Sequence, residues 1–157
     1  MNAAIAPAAV VVRRTIAASA EDIFDAWLDP EALAAWMRPG TIRSTVARVD
    51  ARVGGRYEIV MQGESGALPH RGEYRVIDRP KRLVFTWQSN HTGPNETLVT
   101  VDFRKVAQGN QECTEVVVTH EQLPEAARDA HRRGWTSGLE HLDETCRQGF
   151  AGKQTRN

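Results

Sequence analysis

The chain has 157 residues, of which 41% are hydrophobic and 25% charged, an ordinary composition for a globular protein with a core large enough for one domain. Twenty basic residues offset twenty acidic ones, so no basic excess indicates a nucleic-acid partner and no polybasic run indicates an anionic membrane surface. No apolar run is long enough to span a bilayer, and the predicted location is the cytoplasm.

The two ends of the chain are set apart from its middle. Residues 1–8 are rich in alanine and are predicted to be a disordered N-terminus. The start has no basic segment ahead of its short apolar stretch, which argues against a signal peptide. Residues 9–149 are predicted to form a single domain, and residues 150–157 a disordered C-terminal tail.

The first third of the chain predicts one strand followed by two short helices. Val10 to Ile16 is rich in β-branched residues and is typical of a strand. Ser19 is a suitable N-cap for a first helix, and Asp29 is one for a second helix whose first position is Pro30. The pair Pro39-Gly40 ends the second helix. Two short helices that meet near Pro30 predict a bent arrangement rather than one rod.

In the middle of the chain the hydrophobic period changes to two, which indicates strands with one buried face. A strand is predicted over residues 42–49, and residues 63–66 are predicted to be a mobile loop. A hairpin turn is predicted at residues 108–110. The residues that share the inward faces are Tyr57, Ile59, Met61, Tyr74, Val76, Leu83, Phe85, Trp87, Thr97, Val99, Val101, Phe103, Val116, Val118 and His120.

The last long stretch predicts a single helix from Pro124 to Gly149, because proline suits a first helical turn and glycine a left-handed cap. At helical spacing an apolar stripe runs along it through Trp135, Leu139, Leu142 and Cys146. Gly134 and Gly138 flank this stripe, which suggests a close backbone approach to a sheet or a ligand. Towards the start of the helix, Arg128 and His131 occupy the stripe. They are interpreted either as a snorkelling arginine with a half-exposed histidine or as the polar mouth of an apolar pocket.

The order of elements predicts an α+β fold, because strands and helices are segregated along the chain. A sheet of this many strands has to twist and curl. The long amphipathic helix is the natural cover for the concave face of such a sheet. The two short helices would then close one end.

Few residues carry recognisable chemistry. Cys113 and Cys146 form neither a disulfide framework nor a metal motif, and the histidines lack metal-ligand spacing. No nucleophile motif or phosphate-binding glycine loop is present, so neither a cofactor nor a metal is predicted. If His70, His120, His131 and Arg128 converge, they would form a cationic or proton-exchanging rim able to orient a carboxylate or carbonyl group. His91 and His141 are expected to be solvated.

Taken together, five segments resemble the helix-grip (START-like, SRPBCC) superfamily, in particular the group named after the activator of the Hsp90 ATPase. The segments are AEDIFDAWLDPEALAAWMRPG (20–40), DARVGGRYEIVM (50–61), GEYRVIDRPKRLVFTW (72–87), TEVVVTHE (114–121) and GWTSGLEHL (134–142). The resemblance covers the chain from about Val10 to Gly149. It implies a helix-grip fold, in which a curved antiparallel sheet wraps around a long C-terminal helix and two short helices follow the first strand.

The resemblance also implies an internal cavity between the long helix and the sheet. The candidates for ligand binding are residues of the apolar faces together with polar residues at the start of the helix and on the last strand. The predicted ligand-binding residues are Trp36, Met37, Tyr57, Met61, Tyr74, Phe85, Trp87, Val118, His120, Arg128, His131, Trp135 and Leu139. The alternative is that these aromatic and methionine side chains fill a solid core.

Three functions are compatible with the resemblance. The leading hypothesis is a protein that binds a small hydrophobic molecule, lipid-like or aromatic, in the cavity. The second is a chaperone-interaction module, with an Hsp90-type chaperone as partner. The third is a polyketide cyclase-like enzyme, which would need His120 or His131 for turnover. This enzyme is the less favoured reading, because nothing in the sequence places a carboxylate inside the pocket.

Overall fold

The computed structural model describes residues 9–149, so the predicted disordered ends lie outside the described residues. Two single 3-10 turns, Asn90–Thr92 and Glu125–Ala127, accompany the regular elements. In chain order these elements are β1 Val10–Ile16, α1 Ala20–Ala26, α2 Pro30–Trp36, β2 Ser44–Val49, β3 Arg56–Gly63, β4 Gly66–Asp78, β5 Arg82–Trp87, β6 Thr97–Gln108, β7 Gln111–Glu121 and α3 Arg128–Arg147.

The seven strands form one antiparallel sheet in the order β1-β7-β6-β5-β4-β3-β2. Strands β2 to β7 follow one another as a meander, and β1 pairs with β7 at one edge. Helix α3 lies across the curled sheet, and the short helices α1 and α2 follow β1. The predicted α+β helix-grip architecture is therefore confirmed.

Both short helices begin as the sequence predicts. The Ser19 hydroxyl accepts a hydrogen bond from the Asp22 backbone N–H at 3.1 Å. The Asp29 carboxylate accepts one from Ala32 N–H at 3.0 Å, and Pro30 occupies the first turn. Each bond satisfies a donor that the helix itself leaves free.

Three predicted boundaries are wrong. Strand β2 begins at Ser44 rather than at residue 42. The predicted mobile loop at residues 63–66 is a tight turn, because Gly63 and Gly66 pair directly and Gly66 adopts a φ of 117°. Such a positive φ costs glycine little.

The predicted start of the long helix is also wrong. Pro124 has extended backbone angles and precedes a 3-10 turn, so α3 begins only at Arg128. Its end agrees with the prediction. Gly149 has a φ of 77°, and its N–H donates to the Cys146 carbonyl at 3.0 Å, as expected of a glycine cap.

The glycine pair of α3 faces α2 and the segment that follows it rather than the sheet. A Cβ at Gly138 would meet the Trp36 ring at 3.7 Å, and one at Gly134 would meet Pro39 at 3.9 Å. Both are ordinary contacts. A strict need for glycine occurs instead at Gly72, where a Cβ would overlap the Thr86 carbonyl oxygen and the Tyr57 ring. Strand β4 can therefore approach its neighbours closely at this point.

Candidate functional site

The centre of the space between α3 and the sheet is filled by side chains. The Trp27 and Trp36 rings make an edge contact with centroids 4.6 Å apart, and Phe24 contacts Phe103 at 5.0 Å. The Trp36 indole N–H donates to the Ala26 carbonyl at 2.9 Å. The α1–α2 pair therefore inserts its aromatic residues into this half of the space.

A small void remains inside this packed centre. Its volume is about 10 Å³, which is close to the space of one water molecule. An organic ligand does not fit there without displacing side chains. The residues around it are Trp27, Leu33, Met37, Tyr57, Ile59, Tyr74, Leu83, Phe85 and Trp87.

An open cleft of about 520 Å³ lies at the other end, beside the N-terminal half of α3. Residues 37–42 form one side of it, and strands β3, β4 and β5 contribute the other. Its apolar lining includes Met37, Ile42, Met61, Leu68, Trp87 and Trp135, and its titratable lining comprises His70, His91, His131 and Arg133. No described carboxylate lines it.

The structure separates the predicted ligand-binding residues into three groups. Those that line the cleft are Met37, Met61, Trp87, His131 and Trp135. Those that border only the central void are Tyr57, Tyr74 and Phe85. Those that line neither space are Trp36, Val118, His120, Arg128 and Leu139.

Trp87 and Trp135 separate the packed centre from the cleft, and we call them the indole partition. Their ring centroids lie 5.3 Å apart. Trp87 borders both spaces, and Trp135 contacts Trp27 on the packed side with centroids 6.0 Å apart while lining the cleft. The partition is thus the floor of the cleft.

His120 holds the partition in place. The Trp135 indole N–H donates to His120 Nδ1 at 3.0 Å, and His120 Nε2 lies 2.7 Å from the Thr97 hydroxyl. That hydroxyl donates to the Trp87 carbonyl at 2.6 Å. Because Nδ1 accepts, the neutral ring must carry its proton on Nε2 and donate to Thr97.

Both ring nitrogens of His120 are therefore occupied by protein partners. The side chain is fully buried, and burial lowers its pKa to about 3, with a smaller contribution from His131. His120 is thus a neutral core residue behind the cleft. His120 therefore does not contribute to a cationic rim at the cleft, because Thr97 and Trp135 occupy both of its ring nitrogens.

His131 is half-buried and lines the cleft. Its Nδ1 lies 2.8 Å from the Ala127 carbonyl oxygen, which can only accept, so Nδ1 carries the proton. Burial lowers the pKa of His131, although the Ala127 carbonyl opposes this shift. Arg128, one turn earlier, is half-buried and does not line the cleft.

His70 lies on the opposite wall, on β4, and is only 7% exposed. Its Nδ1 is 3.3 Å from the Ile59 carbonyl oxygen, and its ring lies 4.9 Å from Trp87. Burial lowers its pKa to about 4 against the opposing effect of the Ile59 and Leu68 carbonyls. The sequence indicates His70 as a possible rim residue but does not place it in the predicted ligand set. Its alternation with Leu68 and Tyr74 along one strand was the signal that could have placed it inward.

The other two histidines, His91 and His141, differ in exposure, and the segment before β2 also reaches the cleft. His91 is exposed at the cleft, as expected of a solvated loop residue. His141 is half-buried rather than solvated, and its Nδ1 is buried without a hydrogen-bond partner in the described residues. Residues 39–42 line the cleft, but a segment without periodicity gave no sequence signal for this.

Among residues 9–149, no group of three or more histidine, cysteine, aspartate or glutamate side chains is arranged to hold a metal ion. Within the same range, no helix is both long enough and apolar enough to cross a membrane.

Comparison with solved structures shows the same fold in several bacterial proteins. Protein CV1439 from Chromobacterium violaceum is 25% identical, with 88% of this chain and 96% of that chain covered and a TM-score of 0.75. Protein NE0264 from Nitrosomonas europaea is 22% identical, with 91% and 96% covered and a TM-score of 0.75. Protein MLL2253 from Mesorhizobium loti is 20% identical, with 90% and 98% covered and a TM-score of 0.71.

A search of curated protein sequences returns no significant match. A family model, in contrast, matches residues 17–147 and carries the description Activator of Hsp90 ATPase homolog 1-like protein. The match covers both short helices, all strands after β1 and the whole of α3, in agreement with the resemblance of the five sequence segments. The chain belongs to the family of Activator of Hsp90 ATPase homolog 1-like proteins.

Proposed function

We propose that this protein binds a small hydrophobic molecule in the cleft beside the N-terminal half of α3. The observation that carries the proposal is the cleft itself, whose volume of about 520 Å³ falls in the usual range of roughly 300–1,000 Å³ for small-molecule sites. Its mixture of apolar walls and a few polar groups is also typical of such sites. The general tendency of this fold to bind hydrophobic ligands supports the same conclusion.

The location of the site follows from the contrast with the packed centre. A void of about 10 Å³ offers no room for a ligand, whereas the cleft is accessible without moving the core. The ligand would therefore rest on the indole partition, between residues 37–42 and the start of α3.

The chaperone-interaction and cyclase-like hypotheses stay predictions, as does the cytoplasmic location. No specific contact among the described residues favours a chaperone over a small molecule. For the enzyme, His120 has no free ring nitrogen, which leaves His131 as the candidate proton-transfer group named from the sequence.

The test is a titration of the full chain with palmitic acid, naringenin and cholesterol. NMR monitors the titration through the signals of the backbone amides and the indole N–H groups. We expect saturable shifts at Trp87, Trp135 and residues 40–42 with at least one compound. The variant Ile42→Trp places a bulky side chain in the cleft and should reduce these shifts. The control variant Val46→Trp changes an exposed position on β2 and should leave them unchanged.

Two results would contradict the proposal. One is that none of the three compounds produces saturable shifts. The other is binding that the Ile42→Trp variant does not weaken, because such binding would lie outside the cleft.

A further inference from the structure

Two histidines face each other across the same cleft in the same chemical state. His70 on β4 and His131 on α3 both line it, and both donate Nδ1–H to a backbone carbonyl. We propose that the ligand is an aromatic molecule with a hydroxyl group, and that this hydroxyl donates a hydrogen bond to Nε2 of His131 or His70. This inference rests on the proposed function, since it names the ligand class for that cleft.

The tautomers of the two rings follow from their partners. The Ala127 and Ile59 carbonyl oxygens can only accept, so each neutral ring has its proton on Nδ1. Nε2 is then a lone-pair acceptor in each ring. A ligand that hydrogen-bonds to either ring must therefore supply the donor.

The surroundings of the two rings keep them neutral. The titratable and charged groups that line the cleft with them are His91 and Arg133, and His120 packs against His131 with ring centroids 5.1 Å apart. Arg128 lies one turn before His131. All of these groups are basic, and no described carboxylate lines the cleft to stabilise an imidazolium ion. Burial lowers the pKa of both rings in the same direction.

The aromatic character of the ligand follows from the walls. Both indoles of the partition line the cleft, and the His70 ring is tilted against Trp87 with ring centroids 4.9 Å apart. Met37 and Met61 line the same cleft, and thioethers make favourable contacts with aromatic rings. A flat ring on this floor would bring a substituent close to an imidazole.

A carboxylate is the rival ligand class, since Arg133 also lines the cleft. Arg133 is exposed, however, and an exposed ion pair contributes little to binding because water screens it. A carboxylate also cannot donate to Nε2. It would have to bind together with a proton that converts a buried ring to its charged form.

The experiment compares naphthalene, 2-naphthol and 2-naphthoate as probes of the full chain at pH 7.5. Calorimetry measures affinity, and NMR follows the imidazole nitrogens of His70 and His131. We expect 2-naphthol to bind up to about tenfold more tightly than naphthalene, the gain of one hydrogen bond, and to shift an Nε2 signal. Naphthoate should bind most weakly at this pH, and acidification through the pKa of His131 should weaken naphthol binding and strengthen naphthoate binding.

Three variants assign the effect to a ring. His131→Phe should remove part or all of the preference for naphthol over naphthalene, and His70→Phe should remove any remainder. His70→Gln keeps an acceptor and should retain the part that depends on His70. His141→Phe is the matched control, because His141 also lies on α3 but does not line the cleft. It should leave the preference unchanged.

The outcomes separate this inference from the proposed function. Naphthoate binding as tight as naphthol binding, or naphthol binding without any change in the imidazole nitrogens, overturns the inference and leaves the cleft as a ligand site. Failure of all three probes and of naringenin, which is also a hydroxylated aromatic molecule, overturns it too. The proposed function falls as well only if palmitic acid, naringenin and cholesterol also fail.

Discussion

The packed centre and the open cleft lie between the same helix and the same sheet, yet only one of them has room for a ligand. In the centre, the aromatic residues of α1 and α2 fill the space and leave a void of about 10 Å³. Beside the start of α3, where those helices do not reach, about 520 Å³ stays open. The aromatic residues of the short helices therefore decide where space remains between helix and sheet.

The same contrast separates two histidines whose rings touch. His120 faces the centre and uses both nitrogens in bonds to Trp135 and Thr97. His131 faces the cleft and uses only Nδ1, in its bond to Ala127. The sequence pattern predicts an inward face for both histidines. Their tertiary neighbours decide whether the ring nitrogens are already occupied by protein partners or remain available.

The sharpest test of the difference in packing between the centre and the cleft is a leucine-to-alanine substitution in each region. Leu139→Ala removes a fully buried side chain in the centre and should lower the free energy of unfolding by about 2–5 kcal/mol, because it leaves a cavity. Leu68→Ala in the half-buried cleft wall should cost about 1 kcal/mol. Urea unfolding measures both, and equal losses would mean that the centre is not better packed than the cleft.

Acidification tests whether the inward histidines are neutral. Burial lowers the pKa of His70 to about 4 and that of His120 to about 3, from 6.5. The unfolded chain therefore binds more protons than the folded chain below pH 6.5. Stability should be complete above pH 6.5 and should fall as the pH drops towards 4, by at most about 1.4 kcal/mol per pH unit for each histidine.

Urea unfolding at pH 7.5, 6 and 5 measures this dependence. The variant His120→Phe should show a flatter profile over the same range, because one of the titrating histidines is gone. A native profile that does not change between pH 7.5 and 5 would show that these histidines are not buried in the neutral form.

The smallest expected effect concerns the two neighbouring histidines themselves. His120→Phe leaves the Trp135 indole N–H and the Thr97 hydroxyl without their buried partner and should cost about 1–3 kcal/mol. His131→Phe, at a half-buried position, should cost about 1 kcal/mol or less. Thermal unfolding compares the two variants, and the tryptophan fluorescence spectrum should change mainly for His120→Phe because the indole partition loosens. A larger loss for His131→Phe would reverse the assignment of the two regions.

Much of the fold was predictable because its signals are local or periodic. Ser19 and Asp29 cap the short helices through their own side chains, and the stripe from Trp135 to Leu142 follows from helical spacing alone. The start of α3 was not predictable from Pro124, since its backbone remains extended and a 3-10 turn intervenes.

By itself, the sequence determined the order of elements and the concentration of aromatic residues between helix and sheet. It also determined the inward faces except at Val76, which is exposed because the register of β4 shifts between Tyr74 and Val76. Only the tertiary structure decided that Trp27 and Trp36 fill the centre, that residues 39–42 and His70 face an open cleft, and that His120 is occupied while His131 keeps an acceptor. The physical reason is that periodicity fixes which face of an element a side chain lies on. The space beyond that face and the hydrogen-bond partners in it come from elements distant in the chain, as Trp135 and Thr97 are for His120.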